Sequence, residues 1–256
     1  SPPPEEAGPG GAPRGMVVWC PDWPVVAAAA ELGLAVTDPV AVIEAGEVFA
    51  CSEEARRDGV RRGMRRRDAT ARCPDLVLAD HSPERDVRAF EAVLGAVEQV
   101  SASVTPIRPG LCALAVPRRF YGGEAEAAAV VAEHLVAAGV WDCRAGIADG
   151  MFTAEQAAKQ AAPQESVVVP VGGSRRFLSR LPVAVLDDLE QVSLFRRLGL
   201  RTLGDLAALP VRDVATRFGS SGAWLHRLAR GADARPAGAR QPPRELDAHG
   251  GFSPGL

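Results

Sequence analysis

The 256-residue sequence lacks several features that define particular classes of protein. No apolar run approaches the roughly 18 residues needed to span a bilayer, and the chain does not open with the basic and apolar segments of a secretion signal. None of the five cysteines forms a CxxC pair, which argues against zinc and favours reduced thiols. The sequence therefore predicts a soluble cytoplasmic protein without a membrane segment or a metal site.

Lysine is almost missing as well, because Lys159 is the only one and all other basic residues are arginines. The net charge of −3 argues against a simple nucleic-acid binder, but charge is segregated along the chain. Residues 16–50 carry five acids and no base, residues 51–75 carry eight arginines against five acids, and residues 172–240 carry twelve against six. Arginine binds phosphate bidentately. A GC-rich genome also favours arginine over lysine, however, and we give this explanation the most weight.

Hydrophobic periodicity and turn residues predict an α/β part followed by a helical part. Strands are predicted at 16–19, 39–52 (two strands around Ala45-Gly46), 103–116, 143–149 and 166–171. Helices are predicted over 53–72 with breaks at Gly59 and Gly63, from Ser82 onward, over 124–138 and up to Pro163. From residue 172 onward, short helices alternate with glycine and proline.

Two helix starts are predicted in more detail. Ser82 is a cap followed by Pro83 in the first turn, and Thr153 with Gln156 has the spacing of a capping box. Beyond Ser82, helical spacing predicts a buried stripe of Val87, Phe90, Leu94, Val97 and Val100.

Composition divides the chain into four parts. The expected boundaries are a disordered Pro/Gly-rich tail (1–15), an α/β domain (16–171) with an insertion at about 50–80, a small helical domain (172–235) and a linker (236–256).

Four segments, in this order, resemble Y-family DNA polymerases of the DinB/UmuC group. They are "ACSEEARRDGVRRGMRRRDATARCPDLVL" (50–78), "GIADGMFTAEQAAKQAAP" (146–163), "LPVAVLDDLEQVSLFRRLGLRTLGDLAALP" (181–210) and "WLHRLARGAD" (224–233). The resemblance covers roughly residues 16–240. It implies an α/β palm with a small fingers subdomain, then a small all-α thumb, with the family's little-finger domain absent.

The metal-binding carboxylates of the family are where this sequence departs from it. The family resemblance implies two divalent ions, which need carboxylate oxygens. The ligand positions are occupied by Trp19, Pro21, Gly110 and Leu111. The exception would be a shifted alignment in which Asp22 takes one of these positions. We therefore expect no catalytic residue, no metal, no cofactor and no enzyme activity.

The nucleotide pocket that the resemblance implies is altered too. Arg56 keeps the family's arginine as a pocket remnant, but Glu53 stands at the fingers tyrosine and Pro24 at the aromatic that screens the sugar. Glu155 replaces a family lysine, and an acid there is expected to repel phosphate. Trp19 and Trp23 could stack a nucleic-acid base, but we favour the explanation that they fill the volume left by the lost metal site.

Such losses resemble the ImuB branch, whose members are noncatalytic hubs of damage-inducible mutagenesis. The resemblance implies a protein of translesion synthesis that binds primer–template DNA weakly and helps to recruit an error-prone C-family polymerase. An ImuA-like protein and the sliding clamp are the other implied partners, through sequence beyond the thumb. Two alternatives stay open: an active polymerase with a shifted ligand set such as Asp22 and Asp149, and a protein-interaction scaffold without DNA binding.

Seven arginines are the candidate DNA contacts. Three lie in the fingers block and four in the thumb: Arg65, Arg66, Arg67, Arg212, Arg217, Arg227 and Arg230. The alternative for the fingers arginines is a solvated helix face. Leu198 to Asp205 resemble half of a helix-hairpin-helix, but Leu186-Asp187-Asp188 replaces the family's G-x-G, so weakened binding is expected there.

Overall fold

The computed structural model describes residues 14–116 and 122–233, in which two separate sheets are followed by a purely helical part. The strands are β1 (Gly15–Trp19), β2 (Val40–Glu44), β3 (Glu47–Cys51), β4 (Val77–Asp80), β5 (Val104–Arg108), β6 (Leu111–Ala115), β7 (Arg144–Ala148) and β8 (Ser166–Val168). The helices are α1 (Trp23–Leu32), α2 (Glu53–Arg57), α3 (Arg66–Arg72), α4 (Pro83–Glu98), α5 (Glu124–Ala137), α6 (Met151–Gln160), α7 (Ser174–Leu178), α8 (Leu189–Arg197), α9 (Leu203–Ala207) and α10 (Val211–Ala229).

The larger sheet has the order β5-β6-β1-β7-β8, and β1 lies at its centre. β1 pairs antiparallel with β6 on one side and β7 on the other. The predicted apolar strand is buried on both faces because helices cover both: Met16 and Val18 pack with residues of α4 and α5, whereas Val17 packs with α6. The strand begins at Gly15, and Arg14 before it is buried, so these two residues of the predicted tail 1–15 are part of the fold. Residues 1–13 lie outside the described residues.

Helix α6 packs unusually close to β7. A Cβ on Gly146 would lie 2.0 Å from the Ala154 carbonyl oxygen, and Ala157 and Ala158 at the same face are fully buried. Small residues on both elements therefore allow the helix to lie directly on the sheet.

The predicted capping box at the start of α6 is wrong. The helix begins at Met151, and Thr153 and Gln156 are buried inside it rather than flanking its end. The N-terminus is capped from the far end of the described chain, where the Asp233 carboxylate accepts a 2.7 Å hydrogen bond from the Phe152 N–H. Such a cap has no local sequence signal.

The smaller sheet has the order β3-β2-β4 and is covered by α2 and α3. It begins at Val40, ahead of the start near residue 50 that was expected for the insertion. The turn between β2 and β3 is the predicted one, with positive φ at Ala45 (49°) and Gly46 (81°). The predicted helix breaks at Gly59 and Gly63 also have positive φ, so two short helices form in place of one.

Helix α4 confirms its predicted start and corrects its predicted face. The Ser82 hydroxyl accepts a hydrogen bond from the Arg85 N–H, as an N-cap does. Phe90, Val97 and Val100 are buried as predicted, but Leu94 is half-buried and Val87 is 52% exposed. Val93, which was not predicted, is fully buried. The buried stripe runs from Asp86 through Phe90 and Val93 to Val97, so it begins one position before Val87.

We call residues 172–233 the helical region. It has its own core, centred on Leu178, Phe195, Leu203, Leu206 and Phe218. Thr202 caps α9 as predicted, and α10 is kinked at Gly219, where φ is 68°. His226 is buried against Leu209 in a helix-packing role. The predicted linker, 236–256, lies outside the described residues.

All five cysteines are buried and unpaired, as predicted. Burial raises the pKa of Cys112 to about 12, and burial with the Asp142 charge raises that of Cys143 to about 11. These thiols therefore stay protonated at neutral pH. Among the described residues, none of the helices is long and apolar enough to cross a membrane.

Candidate functional site

A cleft of about 440 Å³ lies where the larger and smaller sheets meet. The end of β1, the start of α1 and the β5–β6 turn form one wall, and β3 with α2 forms the other. Five of its fourteen lining residues are charged: Arg56, Arg61, Arg62, Arg108 and Asp22. Four arginines against one acid in the lining favour an anionic group such as phosphate, although Glu53 and Glu155, next to the lining, pair with Arg56 and Arg108.

Arg56 is held at the centre of the cleft by three contacts. Its Nη2 donates to the Asp22 carboxylate at 2.7 Å, its Nη1 to the Cys51 carbonyl at 2.7 Å and its Nε to the Glu53 carboxylate at 3.0 Å. The Asp22 hydrogen bond raises the pKa of Arg56 further above its ordinary value. Glu53, which replaces the fingers tyrosine of the family, is thus paired with Arg56.

Glu155 is likewise neutralised rather than repulsive. Its carboxylate lies 3.0 Å from Arg108 and 2.8 Å from Lys159. Burial acts to raise the pKa of Glu155, but hydrogen bonds and charge from Lys159 and Arg108 outweigh burial and lower it. The acid that replaces a family lysine is thus surrounded by two cations.

The four expected ligand positions lie around one end of β1 without a carboxylate. Trp19 packs under the Arg144 guanidinium at 5.4 Å, and Leu111 is fully buried. Gly110 has a φ of 88°, and a Cβ there would lie 2.7 Å from the Trp23 Cβ. Pro21 is half-buried in the turn that leads into α1. Trp23 itself is buried and donates to the Asp86 carbonyl, so it cannot stack a base.

The shifted ligand pair of Asp22 and Asp149 does not form. Asp22 follows the Trp19 end of β1, whereas Asp149 follows Ala148, which pairs with Gly15 at the opposite end. Asp149 instead binds Arg14 and the Gly172 N–H. In the described part of the chain, no three His, Cys, Asp or Glu side chains lie close enough to hold an ion. These residues do not fit the two-ion site that the family resemblance implies.

The three fingers arginines lie together at the far end of the smaller sheet. Arg65, Arg66 and Arg67 are exposed and line an open groove with the Ala45–Gly46 turn and Thr70. Arg67 is 3.4 Å from Asp68, which is an exposed contact of little strength. The groove is separate from the cleft, because the turn lies at the opposite end of β3 from Cys51.

The remaining candidate arginines lie on α10 and its C-terminal cap. Arg212, Arg217 and Arg227 are exposed, and Arg230 is half-buried. Arg227 lies 5.7 Å above the Trp224 ring. Sequence reasoning did not single out Arg61, Arg62 and Arg108, which the fold brings to the cleft from two sheets. The first two stood in the arginine-rich block, but nothing local indicated Arg108.

A family model described as impB/mucB/samB matches residues 24–159, more than half of the chain. The chain belongs to the Y-family DNA polymerases.

Curated relatives of the chain support this membership. The chain is 29% identical over 195 residues to DNA polymerase IV of Dehalococcoides mccartyi, covering 75% of this chain and 50% of that protein. It is 31% identical over 208 residues to DNA polymerase IV 2 of Agrobacterium fabrum, covering 77% and 57%. The chain thus spans little more than half the length of these relatives.

The fold agrees with this membership. DinB from Sulfolobus solfataricus superposes with a TM-score of 0.70 at 17% identity, over 88% of this chain and 69% of that one. The mixed α/β fold is therefore similar to the palm and fingers of a Y-family polymerase, as predicted.

The relatives contradict the expectation that the chain is not an enzyme. Each of these curated relatives is named a DNA polymerase IV, which is an enzyme. The expectation was wrong, because the loss of carboxylates at positions 19, 21, 110 and 111 does not by itself separate the chain from relatives that are enzymes.

Proposed function

We propose that this chain, as part of a Y-family polymerase, holds primer–template DNA during translesion synthesis, with the helical region as its thumb. The observation that carries the proposal is the uncompensated charge of that region. Its ten arginines form no ion pair within the part of the chain that the structure describes. A surface of this kind attracts the phosphate backbone without reading sequence.

The six acids of the helical region do not outweigh its ten arginines, and three of them hold helix ends. Asp188 accepts hydrogen bonds from the Gln191 N–H and the Ser221 hydroxyl. Asp205 accepts from the Arg201 and Thr202 N–H groups, and Asp233 caps α6. Asp188 was expected to weaken DNA binding; as the N-cap of α8 it keeps its negative charge, so that expectation stays a prediction.

The fingers groove supplies a second proposed contact. Arg65 and Arg66 are exposed and form no ion pair among the described residues, so their guanidinium groups are available to template phosphates. The contribution is electrostatic and adds to the α10 contacts. We expect about two to four phosphate contacts in total, each lowering log affinity by about 0.9 per unit of log salt.

The test is a fluorescence titration of primer–template DNA at two salt concentrations. The parent is compared with the triple variant Arg212→Ala, Arg217→Ala, Arg227→Ala and with the control Arg88→Ala. Arg88 is also exposed, but it lies on α4 and is paired with Glu31 of α1. We expect the triple variant to lose affinity by roughly tenfold or more and to have a shallower salt slope, and the control to match the parent. No binding by the parent at low salt, or an unchanged slope in the triple variant, would refute the proposal.

A second proposal concerns protein partners and follows from the resemblance to ImuB. We propose that an error-prone C-family polymerase, an ImuA-like protein and the sliding clamp bind sequence beyond the described residues. The test is a pull-down of the clamp with a longer natural chain and with this one. Retention of the clamp by this chain to the same extent would contradict the proposed location.

A further inference from the structure

Asp22 has an unusual backbone conformation for its position. It is the N-cap of α1, where aspartate normally accepts a hydrogen bond from the helix, yet its side chain makes no such bond. Its φ of 51° and ψ of 35° are left-handed, a conformation that costs energy for most residues other than glycine. The carboxylate is directed away from its own helix and across the cleft to Arg56, 2.7 Å away.

The contact between Asp22 and Arg56 joins the two walls of the cleft. Asp22 belongs to the wall formed by the larger sheet, and Arg56 to α2 beside the smaller sheet. Each side chain is about a third exposed, at 32% and 35%, so solvent and solutes reach the pair. An accessible ion pair of this kind is weak and exchangeable.

Asp22 is the one carboxylate among the residues that line the cleft, and Glu53, outside that lining, also binds Arg56 through its Nε. Arg61 donates to the backbone carbonyls of Arg56 and Val60, and Arg62 lies 5.3 Å above the Phe49 ring. Neither is neutralised by an acid in the described part of the chain. The field around Arg61 and Arg62 therefore favours an anion, and the carboxylate that the chain itself places within the cleft is Asp22.

We propose that Asp22 is an internal competitor for phosphate: its carboxylate occupies Arg56 until a phosphate-bearing ligand displaces it. A phosphate group carries more charge and more acceptor oxygens than a carboxylate, so it can replace Asp22 on the guanidinium. The inference rests on the proposed function only in that DNA or a nucleotide supplies the phosphate.

The test uses inorganic tripolyphosphate as the probe and calorimetry as the readout. The proteins are the parent, Asp22→Asn, Arg56→Gln and the double variant, with Asp213→Asn as an exposed control in the helical region. Asparagine is suited to the left-handed conformation, so the Asp22→Asn protein should fold normally. We expect Asp22→Asn to bind the probe about tenfold tighter at low salt. The control should match the parent, and Arg56→Gln should abolish the gain.

Three results would overturn the inference. They are an unchanged affinity in Asp22→Asn, the same gain in the Arg56→Gln background, and no measurable binding of tripolyphosphate by the parent and Asp22→Asn alike. A nucleoside triphosphate and a short single-stranded oligonucleotide, titrated into the same proteins, distinguish the two natural sources of phosphate. Because no DNA is used with tripolyphosphate, this result is independent of the α10 arginine test.

Discussion

The larger-sheet part and the helical region use arginine in opposite ways. Every described arginine that packs with the larger sheet and its helices is in an ion pair: Arg14, Arg85, Arg88, Arg108 and Arg144. In the helical region, the described arginines have no acidic partner, and three of the six acids there bind backbone N–H groups. The same residue type thus stabilises one part of the molecule and charges the surface of the other.

The difference follows from secondary structure. Short helices expose many unsatisfied N–H groups at their ends, and acids are among the best residues to accept them. The helical region contains several such ends within a short stretch, and Asp188 and Asp205 are used locally at two of them. The larger sheet satisfies its backbone through strand pairing, which leaves carboxylates free to pair with arginines.

The strongest test of this comparison is the removal of one paired arginine. Arg14 is 3% exposed and contacts Glu124, Asp149 and the Val169 carbonyl. We expect Arg14→Ala to lower the free energy of unfolding by about 3 kcal/mol, because the half-buried carboxylates of Glu124 and Asp149 lose their positive partner. The measurement is urea unfolding followed by circular dichroism.

The matched variant is Arg212→Ala, an exposed arginine of the helical region without an ion pair in the described chain. Its free energy of unfolding should stay within about 0.5 kcal/mol of the parent. If Arg14→Ala and Arg212→Ala destabilise the protein equally, the two regions do not differ as proposed.

A smaller effect is expected when a capping acid is removed from the helical region. Asp188→Ala loses the hydrogen bonds from Gln191 and Ser221, and we expect a loss of about 1 kcal/mol in the free energy of unfolding. Glu190→Ala, in the same first turn but not at the cap, is the control and should change stability by only a few tenths of 1 kcal/mol. Equal losses in both variants would argue that Asp188 is an ordinary surface acid.

The smallest expected effect is a pH dependence from His226. Burial lowers the pKa of this imidazole below its ordinary 6.5, against the hydrogen bond to Leu209, and the charges of Arg230 and Arg175 lower it further. The unfolded chain therefore binds the proton at a higher pH than the folded one. Stability is then fully present above about pH 6.5 and is lost as pH falls below that value.

The measurement is urea unfolding of the parent and His226→Gln at pH 7.5 and pH 5.5. Between pH 7.5 and pH 5.5, we expect the free energy of unfolding of the parent to fall by up to about 1 kcal/mol more than that of His226→Gln. A parent that gains stability relative to His226→Gln on acidification would contradict the assigned direction.

Local patterns in the sequence were sufficient for most of the fold. The apolar run at β1, the turn at Ala45-Gly46 and the cap at Ser82 depend on neighbours within a few residues, and each was predicted. The start of α6 was not, because its cap is Asp233. The face of α4 was misjudged by one position, since both Val87 and Val93 fit an apolar helical stripe and only packing against α1 and α5 selects between them.

The sequence by itself determined the family of the chain, the α/β order of its elements and the concentration of arginine in two regions, because these depend on local composition and motif order. Tertiary structure alone decided which charges remain available. It paired Glu53 and Glu155 with cations, separated Asp22 from Asp149 along β1, and brought Asp22 to Arg56 across the cleft. Ion pairs are contacts between distant positions, and distance in space is what a linear pattern does not contain.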